Sequence, residues 1–185
     1  MKTQLKVIAL SVLVATSTYA EENKGMYFGL GMVQTKFSDH DEGEPFDYKK
    51  NNWKALIGTR LNSNWSIEGQ YTDFSKDENE VRVDNPSRLV MGGMAGKSIG
   101  VAGLYHFNPQ GNYSPFVKLG WHYWDFKKTI RGDSGSDSAD GNDAFFGVGV
   151  DGKINETIKY RVEFERVKTG DFDIDNIGAS LLFGF

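Results

Sequence analysis

Apolar and polar residues alternate with period two along most of the chain, the mark of β-strands whose two faces meet different surroundings. From position 53 to 61 the odd positions carry Trp53, Ala55, Ile57, Thr59 and Leu61, with Lys54, Gly58 and Arg60 between them. Trp65, Ile67 and Tyr71 continue the pattern after the Asn62-Ser63-Asn64 break. Further stripes are Ile99, Val101, Tyr105 and Phe107; Val117, Leu119, Trp121 and Tyr123; and Phe146, Val148 and Val150. The sharpest case is Ile158, Tyr160, Val162 and Phe164 alternating with Lys159, Arg161, Glu163 and Glu165. The stripe Ile177, Ala179, Leu181, Phe183 and Phe185 closes the series, and residues 26–34 open it. The pattern predicts eight strands.

The connections alternate in length. Short turns are predicted at 62–64, 108–112 and 155–156, where Asn, Pro and Gly supply turn chemistry. Long polar connections are predicted near 38–52, 75–88, 127–143 and 168–175. All short turns therefore fall at one end of the sheet and all long loops at the other. Within 80–98, the runs 81–83 and 91–96 are compatible with either a strand extension or a small extra hairpin. No second domain is visible.

Alternation alone does not say which face is outside. A soluble barrel hides its apolar face, and a membrane barrel shows it to lipid. Three features favour the second. The polar face is rich in glycine (Gly29, Gly31, Gly58, Gly120, Gly147, Gly149, Gly178 and Gly184), which weakens a strand but suits the crowded interior of a narrow barrel. Six bases on that face (Lys54, Arg60, Lys118, Lys153, Lys159, Arg161) nearly balance four acids (Glu68, Asp151, Glu163, Glu165), as a buried paired network requires. The apolar face carries rings near the strand ends: Trp53, Trp65, Tyr71, Tyr105, Phe107, Trp121, Tyr123, Tyr160 and Phe185. Amphipathic rings favour headgroup level, so these read as two girdles.

The run Tyr27-Phe28-Gly29-Leu30-Gly31 resembles the first strand of the small Gram-negative outer-membrane barrels, the OmpA-type transmembrane-domain and opacity-protein superfamily. Phe146-Gly147-Val148-Gly149-Val150 and the strand from Tyr160 to Phe164 resemble it too, as does the alternating end that finishes on Phe185. The resemblance implies a closed, eight-stranded, antiparallel up-and-down barrel in the cell outer membrane, with short periplasmic turns and long extracellular loops. It further implies that the barrel-assembly machinery reads the C-terminal signature, with periplasmic chaperones on the way. Larger relatives carry a peptidoglycan-binding domain after the barrel; this chain ends at Phe185, and that tether is not expected.

Residues 1–20 have the design of a secretory signal peptide: Lys2 and Lys6, an apolar core from Val7 to Ala15, and Thr18-Tyr19-Ala20 before Glu21-Glu22. The core is about nine residues, against roughly 20 for a spanning helix. The expected division is a cleaved leader at 1–20 and one barrel domain at 21–185. At 185 residues the chain cannot form a sixteen-stranded porin, whose strands alone would need about 160 residues. The absence of Cys excludes disulfides and thiolate metal sites, and a net charge of −4 implies no nucleic-acid surface.

Chemistry is sparse. Of the three histidines, His40 falls in a loop, and His106 and His122 have lumen parity. Ser98 shares a face with His106 but lies about 27 Å along the strand, and no His-x-Ser pair of the lipid A deacylase kind occurs. Asp171, Asp173 and Asp175 sit on one side of an extended segment, but Asn176 and Leu182 occupy the places where an EF-hand needs Gly and Glu. Asp133, Asp137, Asp140 and Asp143 read as a solvated acidic loop that could share divalent cations with lipopolysaccharide phosphates. No catalytic, cofactor-binding or metal-binding residue is assigned, and no cofactor is expected. The expected role is non-enzymatic: structural, surface-display or adhesive. The partners expected are outer-membrane lipid and lipopolysaccharide, with a host or surface ligand reached through loops that hold sixteen acids against nine bases. The barrel is expected to act as a monomer. The alternatives are a small channel of the OmpW type and, last, a lipid-modifying enzyme.

Overall fold

The computed structural model describes residues 25–39, 48–74, 91–130, 136–168 and 172–184. It is a closed antiparallel barrel of eight strands in chain order. The strands are β1 (Met26–Asp39), β2 (Tyr48–Arg60), β3 (Trp65–Phe74), β4 (Met91–His106), β5 (Tyr113–Ile130), β6 (Ser136–Lys153), β7 (Ile158–Lys168) and β8 (Phe172–Gly184). The seam closes by β1 pairing with β8, from Tyr27 opposite Gly184 to Asp39 opposite Phe172. No sheet edge is left within the closed wall.

The short connections at 61–64, 107–112 and 154–157 lie at one end, and two of them share a device. Asn62 Oδ1 accepts from the N–H groups of Asn64 and Trp65, both at 2.9 Å. Asn155 Oδ1 accepts from those of Thr157 and Ile158, at 2.9 and 2.8 Å. The carboxamide occupies the acceptor role that a longer turn would give to backbone, which keeps these hairpins tight. In the third such turn, Glu156 is hydrogen-bonded to Lys153 at 2.8 Å, which holds its carboxyl below the ordinary range.

The greasy stripes face outward. Leu30 is 54% exposed, Leu119 68% and Ile177 59%, whereas Lys54 is 2% and Arg161 1%. Water would not tolerate such a wall, and hydrocarbon would. The predicted glycines have a visible cause. The Phe116 ring folds onto Gly149, where an added Cβ would fall 2.5 Å from the ring and 2.6 Å from the Val162 carbonyl. Tyr27 lies on Gly58 in the same way. Large rings pointing inward thus require an empty position directly opposite on the neighbouring strand.

Two aromatic levels bound the apolar band. At the turn end, Trp65 packs on Tyr105 at 5.0 Å, Tyr105 on Phe107 at 5.2 Å, and Phe28 on Phe183 at 5.0 Å. At the loop end, Trp53 packs on Tyr71 at 5.2 Å. There Trp121 Nε1 donates to Asn142 Oδ1 at 3.2 Å and Tyr123 OH to Asp140 Oδ2 at 3.3 Å. Phe185 lies outside the described residues.

The strands run further than the alternation predicted. Residues 91–96 extend β4 rather than forming an extra hairpin, and most of 127–143 belongs to β5 and β6. The run 81–83 lies outside the described residues. β5 and β6 have 18 residues each, which at ~3.3 Å per residue and ~40° tilt gives about 45 Å of height against an apolar band of ~25 Å. β6–β7 pairing begins only at Phe145 opposite Val167, and β3 ends with Phe74 opposite Gly96. Residues 91–95, 113–130 and 136–144 therefore include a three-stranded ribbon that leaves the barrel wall, in which β4 and β6 each have β5 as sole partner among the described residues. Polar Ser, Asp, Gly and Asn along 136–143 masked this strand, because the strand reading rested on an apolar stripe and these residues carry none.

Candidate functional site: the charged lumen

Three cations and four carboxylates fill the middle of the barrel, all of them buried: Lys54, Lys118 and Arg161 with Glu68, Asp151, Glu163 and Glu165. Each comes from the inward parity of its strand, so the alternation itself delivers them to one axis. Lys54 Nζ lies 2.6 Å from Glu163 and 2.7 Å from Glu165. Lys118 Nζ reaches the same two at 2.7 and 2.9 Å, and Glu68 at 3.3 Å. Arg161 grips Asp151 through two hydrogen bonds, at 2.7 and 3.0 Å, and donates to Glu68 at 2.6 Å. The Tyr27 hydroxyl donates to Glu68 at 2.7 Å. The Arg161 guanidinium also stacks 4.5 Å over Phe116. Seven charges at this depth are tolerable only because each sits against opposite charge.

Of the six predicted lumen bases, these three form the network. Arg60, Lys153 and Lys159 instead sit at the turn end, beyond it. The expectation of a paired polar face thus holds in the middle and fails at that mouth, because alternation gives a side chain's face but not its height.

Both lumen histidines are where parity placed them. His106 lies between Ser66 and Ser114, at 3.1 and 3.3 Å, with Asp151 at 3.8 Å. His122 Nδ1 lies 2.7 Å from Ser98 Oγ, and its Nε2 lies 3.0 Å from Gln70 Nε2. Counting along one strand kept Ser98 away from His106 and overlooked His122 on the neighbouring strand. The pair is not arranged as nucleophile and base. Gln70 Oε1 faces the Lys118 ammonium at 3.4 Å, so the Gln70 amide donates to His122 Nε2. The ring proton is then on Nδ1 and donates to Ser98, the reverse of what activating a serine needs.

Above His122 a small cavity of about 20 Å³ is lined by Thr72, Phe74, Ser98, Trp124 and Asn176 among others, room for one water. Phe74, Val167 and Ile174 close the lumen around it, and further apolar side chains fill the barrel below. Phe145, Leu104 and Val167 are all buried inside, and parity alone did not single them out, since Phe145 and Phe146 are adjacent and face opposite ways.

The candidate acids of the loops prove dispersed. Asp140 and Asp143 belong to β6 and face opposite sides; the first accepts from Tyr123 and the second from Trp124 Nε1 at 2.7 Å. Asp175 belongs to β8 and forms a two-pronged pair with Arg166, both bonds at 2.6 Å. They are strand residues fastened to neighbours, not members of one acidic loop. Asp173 and Asp137 are strand residues by backbone, and His40, Asp133 and Asp171 lie outside the described residues.

The barrel is similar to several solved structures. Ail, the attachment invasion locus protein of Yersinia pestis, in complex with the heparin analogue sucrose octasulfate, aligns with a TM-score of 0.64 at 14% identity, covering 89% of this chain and 100% of that one. Neisserial surface protein A (NspA) aligns at 0.60 and 16%, covering 89% and 100%. OprG from Pseudomonas aeruginosa aligns at 0.60 and 13%, covering 86% and 93%. These likenesses carry the fold alone. Comparison with curated protein sequences found no match. The model of the outer membrane protein beta-barrel domain matches residues 7–185, and the chain belongs to that family: it is an integral β-barrel protein of the outer membrane.

Proposed function

We propose that the protein is a non-enzymatic surface barrel that binds an external partner through its extracellular ribbon and loops. The observation that carries this reading is the filled lumen. Lys54, Lys118 and Arg161 are locked to carboxylates on its axis, and the cavity above has room for no more than one water. A barrel closed in this way has its outer end left to work with. The ribbon offers a means: among the described residues the backbone of 136–144 has one strand neighbour, and an extended segment of a partner can add to such an edge. Asp140 faces outward on that stretch, so a basic segment is the complementary partner. Ail, a protein named for attachment, offers an analogy for an adhesive role. Its sulfated ligand does not transfer to an acidic ribbon.

The test is a barrel whose ribbon is cut back to the outer girdle, with 127–139 replaced by a tight turn. Heat-modifiable migration on detergent gels is expected to survive and cell or matrix binding to be lost; retained binding refutes the reading. As a channel, the alternative, the protein would conduct. Planar bilayers are expected to show conductance near zero, and steady large openings would favour the channel. Lipid A mass spectra are expected to be the same with and without the protein.

Residues 1–20 are proposed as the leader cleaved on export, leaving one barrel domain at 21–185. N-terminal sequencing that begins at Glu21 is the expected result. Lipopolysaccharide contacts, assembly-machinery and chaperone recognition, and a monomeric state belong to the same proposal.

A further inference from the structure

The three bases left over from the central network meet at the periplasmic mouth. Lys159 is half-buried and, among the described residues, forms no hydrogen bond or ion pair; the charges acting on it are Arg60, Asp151, Lys153 and Arg161. Asp151, the single acid of that set, is already held by both prongs of Arg161. Lys153 stands directly opposite Lys159 in the β6–β7 register, and its ammonium leans out to the exposed Glu156. Arg60 is opposite Ser66, the residue that bonds His106, and donates one N–H to the Ser63 carbonyl at 3.3 Å. The remaining guanidinium N–H groups have no partner among the described residues. The Arg60 backbone is itself fixed, its N–H donating to the Gly25 carbonyl at 3.3 Å.

Like charges facing one another across strands oppose folding. Here four cations share two carboxylates, one of them out in solvent. A planar fork of donors and a three-donor ammonium, both half-buried at the turn end and close enough to act on one another, match the oxygens of a tetrahedral oxyanion. We propose that the periplasmic mouth binds an anion of the phosphate class, with Arg60 and Lys159 as its direct partners and Lys153 as the outer cation. The anion has two sources of the same chemistry, free phosphate and the headgroup phosphate of an inner-leaflet lipid. The site lies at the opposite end from the ribbon, so it stands or falls independently of the adhesive reading.

The test uses the whole folded barrel, isotope-labelled, in uncharged detergent micelles. Inorganic phosphate is titrated against chloride at matched ionic strength, and the Lys159 Nζ, Arg60 Nε and nearby amide signals are followed by NMR. Saturable shifts with phosphate are expected, with no saturation by chloride. Lys159→Gln or Arg60→Gln is expected to weaken binding about tenfold, and Lys97→Gln, on the outer face at the far end, to leave it unchanged. Heat-modifiable migration checks each fold. Should a Gln variant not fold, Lys159→Arg and Arg60→Lys keep the charge and alter the donor geometry, and each is expected to change the phosphate affinity. Nanodiscs separate the sources. Shifts already present with phosphatidylglycerol, before any phosphate, assign the site to headgroups; shifts that await added phosphate assign it to the free anion. A response shared equally by chloride, or saturation that persists in the Arg60→Gln/Lys159→Gln double variant, overturns the proposal.

Discussion

The middle of the barrel and the ribbon above it are built from the same strands under opposite rules. In the middle, each strand is hydrogen-bonded on both sides, and Lys118 alone touches three carboxylates. Side chains there are fixed by lipid on one face and by a crowded interior on the other. In the ribbon, β4 and β6 have one neighbour each among the described residues, and Ser138, Asp140 and Asn142 of β6 face outward. The comparison teaches that strand length and strand burial are separate properties in this chain. Pairing of β4, β5 and β6 continues past the ends of β3 and β7, because these three strands are longer and have one another as partners.

The largest break in this contrast should come from Lys118→Met. It strands Glu68, Glu163 and Glu165 with one cation fewer, and loss of about 3–5 kcal/mol is expected in urea titrations of the detergent-folded barrel. Val162→Arg places a charge on the lipid face of β7, and about 2–4 kcal/mol should be lost in lipid vesicles, less as the site is moved toward either girdle. Gly149→Val drives a branched side chain into the Phe116 ring and should cost roughly 1–3 kcal/mol, with the Phe116 signals displaced in NMR spectra. The smallest effect is expected in the ribbon. Asp140→Asn should change barrel stability by under about 0.5 kcal/mol. Hydrogen exchange sharpens the same contrast, since amides of 138–142 should exchange far faster than those of 160–164 in one experiment. Equal protection would mean that something covers the ribbon edge.

Most of the barrel was legible because period-two alternation is strong wherever lipid and lumen differ. Trp53 through Leu61 and Ile158 through Glu165 gave their faces without ambiguity, and the glycines pointed to the narrow interior. Strand ends were less legible. The segment from Ser136 to Asn142 has the composition of a loop, and only its pairing with β5 makes it a strand. Neighbours across strands were not legible at all. Ser98 meets His122 through a register fixed by turn length and by barrel shear, neither of which is written at positions 98 or 122. The same reason hid the height of Arg60 and Lys159, which share the parity of Lys54 and Arg161 but not their partners.

Two of the central ion pairs join residues far apart in the chain: Lys54 and Glu165 are 111 positions apart, and Arg161 and Glu68 are 93 apart. None of these contacts can exist until β7 has taken its place, and β8 must then meet β1 to shut out water. The network of seven charges is therefore complete only when the cylinder is almost finished. A half-built barrel lacks the partners of Lys54 and Arg161, so neutralising these two cations and closing the wall belong to the same late step.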